Sequence, residues 1–322
     1  MVELIHHVRR ILTPELCLAT YRLRFPFVKG AALNGAAVGQ MVFKPSPEYI
    51  QAFYDMIFRS AIIPLSRLPL NSLLSVDLTQ LLPLPTAPDY PEQCLGLITI
   101  LDQQRIVQTG YGQRYLRAFF DPVCEKLARQ LTAQPAQFRP DGKAAWLSRG
   151  YSIDDWLIRT LWFWAPLVHS DVFMTADRQS LKDWLHAMRA ETETHCGYAD
   201  PFAPLEAADD VDITAFQRIE EAGPPVKSYA NSSREATVAD YTFWWIRILN
   251  SHFAITDMCG HYPYWIRWTG LEWTPRDKAF MEQTNNYRYD PEDEPVLQLV
   301  RKDYLEGVWR ALGVNPEYER GS

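Results

Sequence analysis

Helix start and stop signals recur along nearly the whole of this 322-residue chain, and no segment alternates apolar and polar residues as a strand does. The Ser-Pro-Glu sequence at 46–48 combines a capping residue, a first-turn proline and an early acid. Ser152 followed by Asp155 predicts a capping box, and the Thr-Pro pair at 274–275 begins another helix. The pattern predicts an all-α protein.

The remaining helical windows follow from apolar residues at helical spacing. Proline-rich breaks separate them, but none is long or simple enough in composition to be a disordered linker, and no repeat has a fixed period. We therefore expect one irregular multi-helix domain over residues 1–322. The predicted windows are approximately residues 91–108, 121–133, 176–195, 211–222, 233–258 and 292–312, the last of which stops at Gly313.

The aromatic content is high, with 11 Trp, 16 Tyr and 15 Phe. Buried Trp and Tyr side chains carry polar groups that usually find partners. We therefore expect some of these rings to line a central aromatic pocket; the alternative is that they only pack the core between helices.

Charge and cysteine content exclude several classes of protein. The net charge is −7 and no basic cluster of the nucleic-acid-binding type occurs. Five cysteines, an odd number without a CxxC pair, favour reduced thiols and a cytoplasmic protein. The sequence begins without a basic segment and long apolar run of the secretory type, and no apolar stretch reaches the ~18 residues of a membrane span.

Three polar segments interrupt the apolar helices, and each carries groups suited to chemistry. The first, residues 102–105, directly follows an apolar run. A charged group in such a place is costly unless it is paired. We expect Asp102 and Arg105 to polarise or anchor a substrate oxygen and Gln103 to contact the substrate. The alternative is an exposed helix end with a local ion pair.

The second polar segment, residues 169–171, follows an aromatic run that contains a proline. The proline is predicted to break the helix and to place an imidazole and a carboxylate in an aromatic setting. His169 is the predicted proton carrier, with Asp171 fixing its tautomer. Ser170 and Trp162 are predicted to contact the substrate. The alternative is a structural histidine.

The third polar segment, residues 252–274, is the densest mixture of rings and ionisable groups in the chain. An arginine among Trp faces can stack on a ring as well as pair with an anion. We expect His261 to polarise or anchor a substrate oxygen. The predicted substrate-binding residues of this segment are His252, Tyr262, Tyr264, Trp265, Arg267 and Trp268.

A metal site is an alternative interpretation of these residues. His169 and Asp171, together with His252 or His261, have the spacing of a two-His-one-carboxylate iron site. The oxygenases that use this set carry it on a β-barrel, which nothing in this sequence predicts. We therefore expect no metal and no cofactor, and a non-heme iron oxygenase stays as an alternative.

The three polar segments, in this order, resemble a pattern of the DUF924 family, a poorly characterised family of helical, TPR-like proteins. The family has an apolar run ending in Leu-Asp-Gln with an arginine just after it, similar to residues 101–105. It also has a Pro-x-x-His-Ser-acid element, similar to residues 166–171. A spaced third element is matched by His252, Gly260, Pro263, Gly270, Thr274 and Pro275.

The resemblance covers approximately residues 91–285 and implies a TPR-like helical array with one site formed by the three segments. The chain departs from the family where the family has Arg, His, Arg and Asn. Here these positions are His261, Tyr264, Trp265 and Ile266. Since ring faces favour apolar and conjugated surfaces, this departure implies a flat hydrophobic ligand rather than a polar one.

These observations favour a cofactor-independent enzyme that acts on a hydrophobic or aromatic metabolite of specialised biosynthesis. Proton transfer, in an isomerisation, cyclisation or elimination, suits the residues present, and positioning on a helical scaffold would supply much of the rate. The competing class is a non-catalytic helical protein that binds a metabolite or a peptide. The expected partner is a small molecule rather than nucleic acid or membrane, and a homodimer is an open alternative.

Overall fold

The computed structural model describes residues 2–43, 45–69, 71–102 and 110–313, and within these ranges the chain is helical without a β-strand. Lys227 and Glu235 form one isolated antiparallel bridge. The all-α prediction is confirmed. In chain order the α-helices are α1 Val2–Ile11, α2 Pro14–Arg24, α3 Gly35–Phe43, α4 Pro47–Phe53, α5 Ile63–Ser66, α6 Ser72–Ser75, α7 Tyr90–Asp102, α8 Gly112–Tyr115, α9 Asp121–Thr132, α10 Lys143–Leu147, α11 Ile153–Val168, α12 Asp171–Ala176, α13 Arg178–Cys196, α14 Glu206–Asp209, α15 Ala215–Ala222, α16 Val238–Asn250, α17 His252–Cys259, α18 Pro263–Ile266, α19 Pro275–Gln283 and α20 Glu294–Glu306.

Shorter helical segments of other types connect these helices. Among the described residues, two segments are π-helical, Tyr54–Ile62 and Leu116–Phe120, and the second leads directly into α9. The 3₁₀ segments are Leu78–Leu81, Ala136–Phe138, Ala203–Leu205, Arg267–Thr269 and Pro291–Asp293.

Helices α7, α11 and α16 lie at the centre of the protein. Every residue of α7 is buried, as is α11 from Asp155 to Val168 and nearly all of α16. A helix that is apolar on all sides belongs in a core, and α11 packs against α7, α9, α10 and α16. Helix α2 lies close against α7 at Gly96, where a Cβ atom would lie 2.0 Å from the carbonyl oxygen of Cys17. A side chain there would therefore separate the two helices.

The predicted helix starts are formed by the predicted caps. The hydroxyl of Ser46 accepts a hydrogen bond from the backbone of α4. Ser152 and Asp155 form a capping box at α11. A second capping box joins Thr274 and Asp277 at α19, so two orphan amides are satisfied at each of these helix starts.

Several predicted boundaries are wrong. The helix predicted at 292–312 ends at Gly307, where a left-handed glycine terminates α20 before Gly313 is reached. The window 233–258 is two helices interrupted at Ser251, and the window 211–222 becomes helical only at Ala215. Pro166 does not break α11, which continues to Val168. It lies in the last turn, where it removes only one backbone hydrogen bond inside a fully buried helix.

The apolar side chains of these elements form one connected cluster that extends from Val8 to Leu312. Among the described residues, no helix combines the length and the apolarity that a membrane crossing requires. Helices α7 and α11 run through this core, and Asp102 on α7 lies beside His169 at the end of α11, which places these two residues at a common site.

Candidate functional site

Asp102, the last described residue of α7, and the residue that caps the C-terminus of α11 are in direct contact. His169 Nδ1 lies 2.9 Å from Asp102 Oδ1. The Asp102 side chain is 2% exposed and the His169 side chain 17%. With Nδ1–H donating to the carboxylate, the lone pair of the neutral ring lies on Nε2. A carboxylate in this position fixes the imidazole tautomer, as it does for a general base.

The predicted partner of His169 is therefore wrong in one respect, since Asp102 rather than Asp171 holds the ring. The first and second polar segments meet through this contact, although 67 positions separate the two residues. The remaining predicted residues of the first segment, Gln103 and Arg105, lie outside the described residues.

His169 borders a cleft of about 170 Å³. One part of its wall is apolar or aromatic, and another carries charged and hydroxyl groups. The described lining residues, besides His169, are Arg117, Asp121, Pro122, Glu125, Ser170, Asp171, Val172, Tyr262, Trp265, Ile266 and Thr269.

Trp265 is a fixed wall of the cleft. The guanidinium carbon of Arg117 lies 3.4 Å from the centre of the Trp265 ring, and Arg117 is held in turn by an ion pair with Asp121 at 2.7 Å. The Trp265 ring meets the His169 ring edge to face, with centres 5.9 Å apart. This stacking fixes the tryptophan beside the imidazole.

The Ser170 hydroxyl makes hydrogen bonds with a backbone amide and with one carboxylate. As the N-cap of α12 it accepts a hydrogen bond from Phe173 N, and its hydroxyl donates to Glu125. Glu125 also pairs with Arg129 at 2.7 Å. The serine therefore positions Glu125 in the cleft wall and begins the helix that carries Asp171.

Asp171 is a carboxylic acid of the cleft whose pKa is raised by burial. Its Oδ1 accepts a hydrogen bond from Tyr262 N at 3.1 Å. Burial raises the pKa of Asp171 from 3.8 to about 6, against the opposing effects of His261 and of the Tyr262 amide. A carboxyl group of this kind exchanges its proton near neutral pH, which suits a general acid.

His261 acts on the Asp171 carboxyl group from outside the described cleft. Its Nε2 lies 2.9 Å from Oδ1 of Asp277, although the angle is not that of a hydrogen bond. Asp277 is fully buried and also caps α19. His261 does not line the described cleft; it influences Asp171 electrostatically.

The structure gives His252 a packing role. Its Nδ1 donates to the carbonyl oxygen of Ile248 at 2.8 Å, and the ring lies 4.1 Å from that of Phe216. Burial lowers the pKa of His252 from 6.5 to about 3. The imidazole is therefore neutral and is hydrogen-bonded within the core rather than directed at the cleft.

The tyrosines of the third segment divide between the cleft and the core. Tyr262 lines the cleft and its hydroxyl donates to the carbonyl oxygen of Val168 at 2.5 Å, which holds the end of α11. Tyr264 is buried away from the cleft lining, between the rings of Phe216, Phe280 and Tyr287. The packing therefore favours a core role for Tyr264 over the predicted contact with a substrate in this cleft.

The other predicted binding residues lie elsewhere. Arg267 pairs with Glu294 at 2.9 Å and lies over the Trp273 ring, in a surface groove on α20. Trp268 is buried in the core. Trp162 lies two helical turns before His169 on α11, next to Arg24.

The sequence interpretation missed Arg117, Asp121 and Glu125. Arg117 and Asp121, four positions apart, have the spacing of an ordinary exposed ion pair on a helix, and the same holds for Glu125 and Arg129. No local pattern distinguishes them. Only the packing of α9 against α11, together with the π-helical segment that leads into α9, brings them to His169.

Within the described ranges, no three His, Cys, Asp or Glu side chains are grouped closely enough to hold a metal ion. The sets predicted for iron, His169 and Asp171 with His252 or His261, therefore do not converge as ligands. Comparison of the chain with protein-family models, curated proteins and solved structures gives no significant match. The resemblance to the DUF924 family stays a prediction.

Proposed function

We propose that this protein is an enzyme that transfers a proton on a small molecule bound in the cleft, with His169 as the base. The observation that carries the proposal is the contact between the buried Asp102 carboxylate and the partly exposed His169 ring. A structural histidine does not require a buried carboxylate on one nitrogen and a cleft beside the same ring. The pairing orients the ring and stabilises its protonated form during turnover.

The proposed reaction uses two titratable side chains that are two positions apart in the sequence, His169 and Asp171. His169 Nε2 removes a proton from a substrate carbon, and the electron pair moves toward an electronegative atom of the substrate. Asp171, whose pKa is raised to about 6 by burial, delivers its proton to that atom. The net result is an isomerisation, or an elimination when a leaving group departs.

The size and walls of the cleft limit the substrate. A volume of about 170 Å³ is near that of an engineered cavity of about 150 Å³ that holds benzene. Trp265 offers an aromatic edge and Val172 and Ile266 an apolar one. We therefore propose a flat molecule whose reacting part is about one ring in size. The five cysteines are free thiols, and we propose a cytoplasmic location on that basis.

The proposal can be tested with 5-nitrobenzisoxazole, a flat probe that reports base catalysis. Removal of its ring proton breaks the N–O bond and releases a coloured nitrophenolate. We expect catalysis above buffer, with kcat/KM reduced about 10²-fold or more in His169→Gln and in Asp102→Asn.

The matched control for this test is His186→Gln, which removes a surface histidine that is paired with Glu206. That variant should keep the wild-type rate. Circular dichroism and thermal melts establish that each variant is folded. A folded His169→Gln protein with an unchanged rate would overturn the assignment of His169 as the base.

A further inference from the structure

Two tyrosines connect α11 and α2 to a buried glutamate of α7 through a chain of hydrogen bonds. The Tyr21 hydroxyl donates to the Tyr151 hydroxyl at 3.1 Å, and the Tyr151 hydroxyl donates to Glu92 Oε1 at 2.9 Å. Arg159, which is fully buried and paired with Asp155 at 2.7 Å, donates to the Tyr21 hydroxyl at 2.7 Å. Each hydroxyl therefore accepts one hydrogen bond and donates one, and the donated protons are directed along the chain toward Glu92.

The Glu92 carboxylate is the last acceptor of this chain. Its side chain is buried, and within the described residues Tyr151 is the one group that donates to it, while Oε2 has no hydrogen-bond partner. Burial, together with Tyr21 and Glu92, raises the pKa of Tyr151, so the phenol holds its proton at neutral pH. A phenol oxygen and a carboxylate oxygen 2.9 Å apart are within reach of direct proton transfer.

Two other tyrosine hydroxyls donate to carboxylates that are much less suited to take a proton. Tyr198 donates to Asp240 at 2.9 Å, and although burial opposes the shift, hydrogen bonds from backbone amides and side chains lower the pKa of Asp240. Tyr289 donates to Glu294 at 3.0 Å. Burial again opposes the shift, but hydrogen bonds and a neighbouring arginine lower the pKa of Glu294. No described amide or cation donates to Glu92, which distinguishes its contact with a tyrosine from these two.

The chain favours the loss of one electron from Tyr151 together with its proton. Removal of the electron alone would leave a positive charge on a ring whose centre lies 5.0 Å from the guanidinium carbon of Arg159. A second positive charge beside a buried cation is unfavourable. If the phenol proton moves to Glu92 at the same time, the ring becomes a neutral phenoxyl radical and the carboxylate becomes a neutral acid. The Tyr21 hydroxyl still donates to the radical oxygen.

We propose that Tyr151 and Glu92 form a one-electron oxidation site. A high-potential one-electron oxidant, such as a peroxyl radical or a ruthenium(III) polypyridyl, takes one electron from Tyr151. The O–H bond of the phenol breaks, and its proton forms a bond with Glu92 Oε1. The products are the neutral Tyr151 radical, protonated Glu92 and the oxidant reduced by one electron. The site uses none of the residues of the proposed proton-transfer reaction and is independent of it.

The first test generates ruthenium(III) by flash photolysis of tris(bipyridine)ruthenium(II), with a cobalt(III) ammine as the electron acceptor. Samples frozen after the flash are measured by electron paramagnetic resonance. We expect a tyrosyl radical signal in the wild type and a signal at least fivefold smaller in Tyr151→Phe.

The matched control for this test is Tyr90→Phe. Tyr90 is also buried, but its hydroxyl donates at 2.8 Å to the side-chain amide of Gln134, which is not a base. This variant should give the wild-type signal. Circular dichroism and Tm establish that each variant is folded. An undiminished signal in folded Tyr151→Phe, or an equal loss in Tyr90→Phe, would overturn the proposal.

The second test concerns the destination of the proton. Glu92→Gln keeps an acceptor for the Tyr151 hydroxyl but does not take up the proton, so we expect the radical signal to fall at least fivefold. Tyr21→Phe keeps the base and removes one donor to the radical oxygen. The signal should therefore persist in Tyr21→Phe, and its largest g value, measured at high field, should rise. A wild-type signal in folded Glu92→Gln would overturn the proposal, since the proton would then leave by another route.

Discussion

Asp102 lies on the buried helix α7 and His169 caps the C-terminus of the buried helix α11, and their side chains meet at 2.9 Å. The partial negative charge at a helix C-terminus favours a positive neighbour. The buried Asp102 carboxylate acts in the same direction. An imidazolium formed at this point is therefore stabilised by the C-terminal end of α11 and by the Asp102 carboxylate.

The Asp102–His169 contact predicts a change of tautomer in Asp102→Asn. An asparagine amide can donate to Nδ1, which would move the ring proton to Nε2 and remove the base. Nitrogen-15 NMR of histidine-labelled protein should show an Nδ1–H tautomer for His169 in the wild type and an Nε2–H tautomer in the variant. Activity should fall by about 10²–10⁴-fold. An unchanged tautomer accompanied by lost activity would mean that Asp102 acts in another way.

The fold was predictable because its signals are local. The capping box of Ser152 and Asp155 satisfies amides within one turn, so the sequence alone indicates where α11 begins. The end of α20 was not predictable to the same degree. Gly307 and Gly313 are both glycines that adopt a positive φ, and only the first ends the helix. Spacing alone does not distinguish them.

The candidate site was only partly predictable. Polar residues at the end of an apolar run, such as Asp102 and His169, are visible in the sequence because burial makes them costly. Arg117 was not visible, since its spacing to Asp121 is that of any surface ion pair. The orientation of Arg267 away from the cleft depends on Glu294, which lies in a distant helix. Long-range packing determines these positions, and local patterns in a single sequence do not reveal it.

His252 should make the protein sensitive to acid. Its pKa falls from 6.5 to about 3 on burial, so the folded state excludes a proton that the unfolded state binds. The corresponding stability is complete above about pH 6.5 and is lost as pH falls toward 3. A pKa difference of this size corresponds to about 5 kcal/mol at most.

This effect can be isolated with His252→Gln, which retains a donor for the Ile248 carbonyl and does not titrate. Denaturant unfolding between pH 4 and 8 should show that the variant loses less stability than the wild type on acidification. Equal slopes in the two proteins would mean that His252 is not buried in its neutral form.

Asp171 should have the opposite effect on stability. Because its pKa is raised to about 6 in the folded state, the folded protein binds this proton more tightly than the unfolded chain does. The stabilising contribution is complete below about pH 4 and is lost as pH rises through 6.

Asp171→Asn keeps the acceptor for Tyr262 N and removes the charge. At pH 8 the variant should be more stable than the wild type, by about 3 kcal/mol at most, while the turnover of the probe falls. The raised pKa would be contradicted if the stability of the variant relative to wild type were lower at pH 8 than at pH 4.

Trp265 and Tyr264 are adjacent in sequence and offer a matched pair of substitutions. Trp265 lines the cleft, where Arg117 stacks on it, whereas Tyr264 lies in the core between Phe216 and Tyr287. Tyr264→Ala should lower the free energy of unfolding by about 3–5 kcal/mol, as expected for a large buried ring, with KM for the probe nearly unchanged in the folded fraction. Trp265→Ala should cost less stability and should raise KM severalfold, because it removes a wall beside His169.

Urea unfolding and probe kinetics on the same preparations separate the two effects. If Tyr264→Ala raised KM as much as Trp265→Ala did, the binding site would extend into the aromatic core behind the cleft.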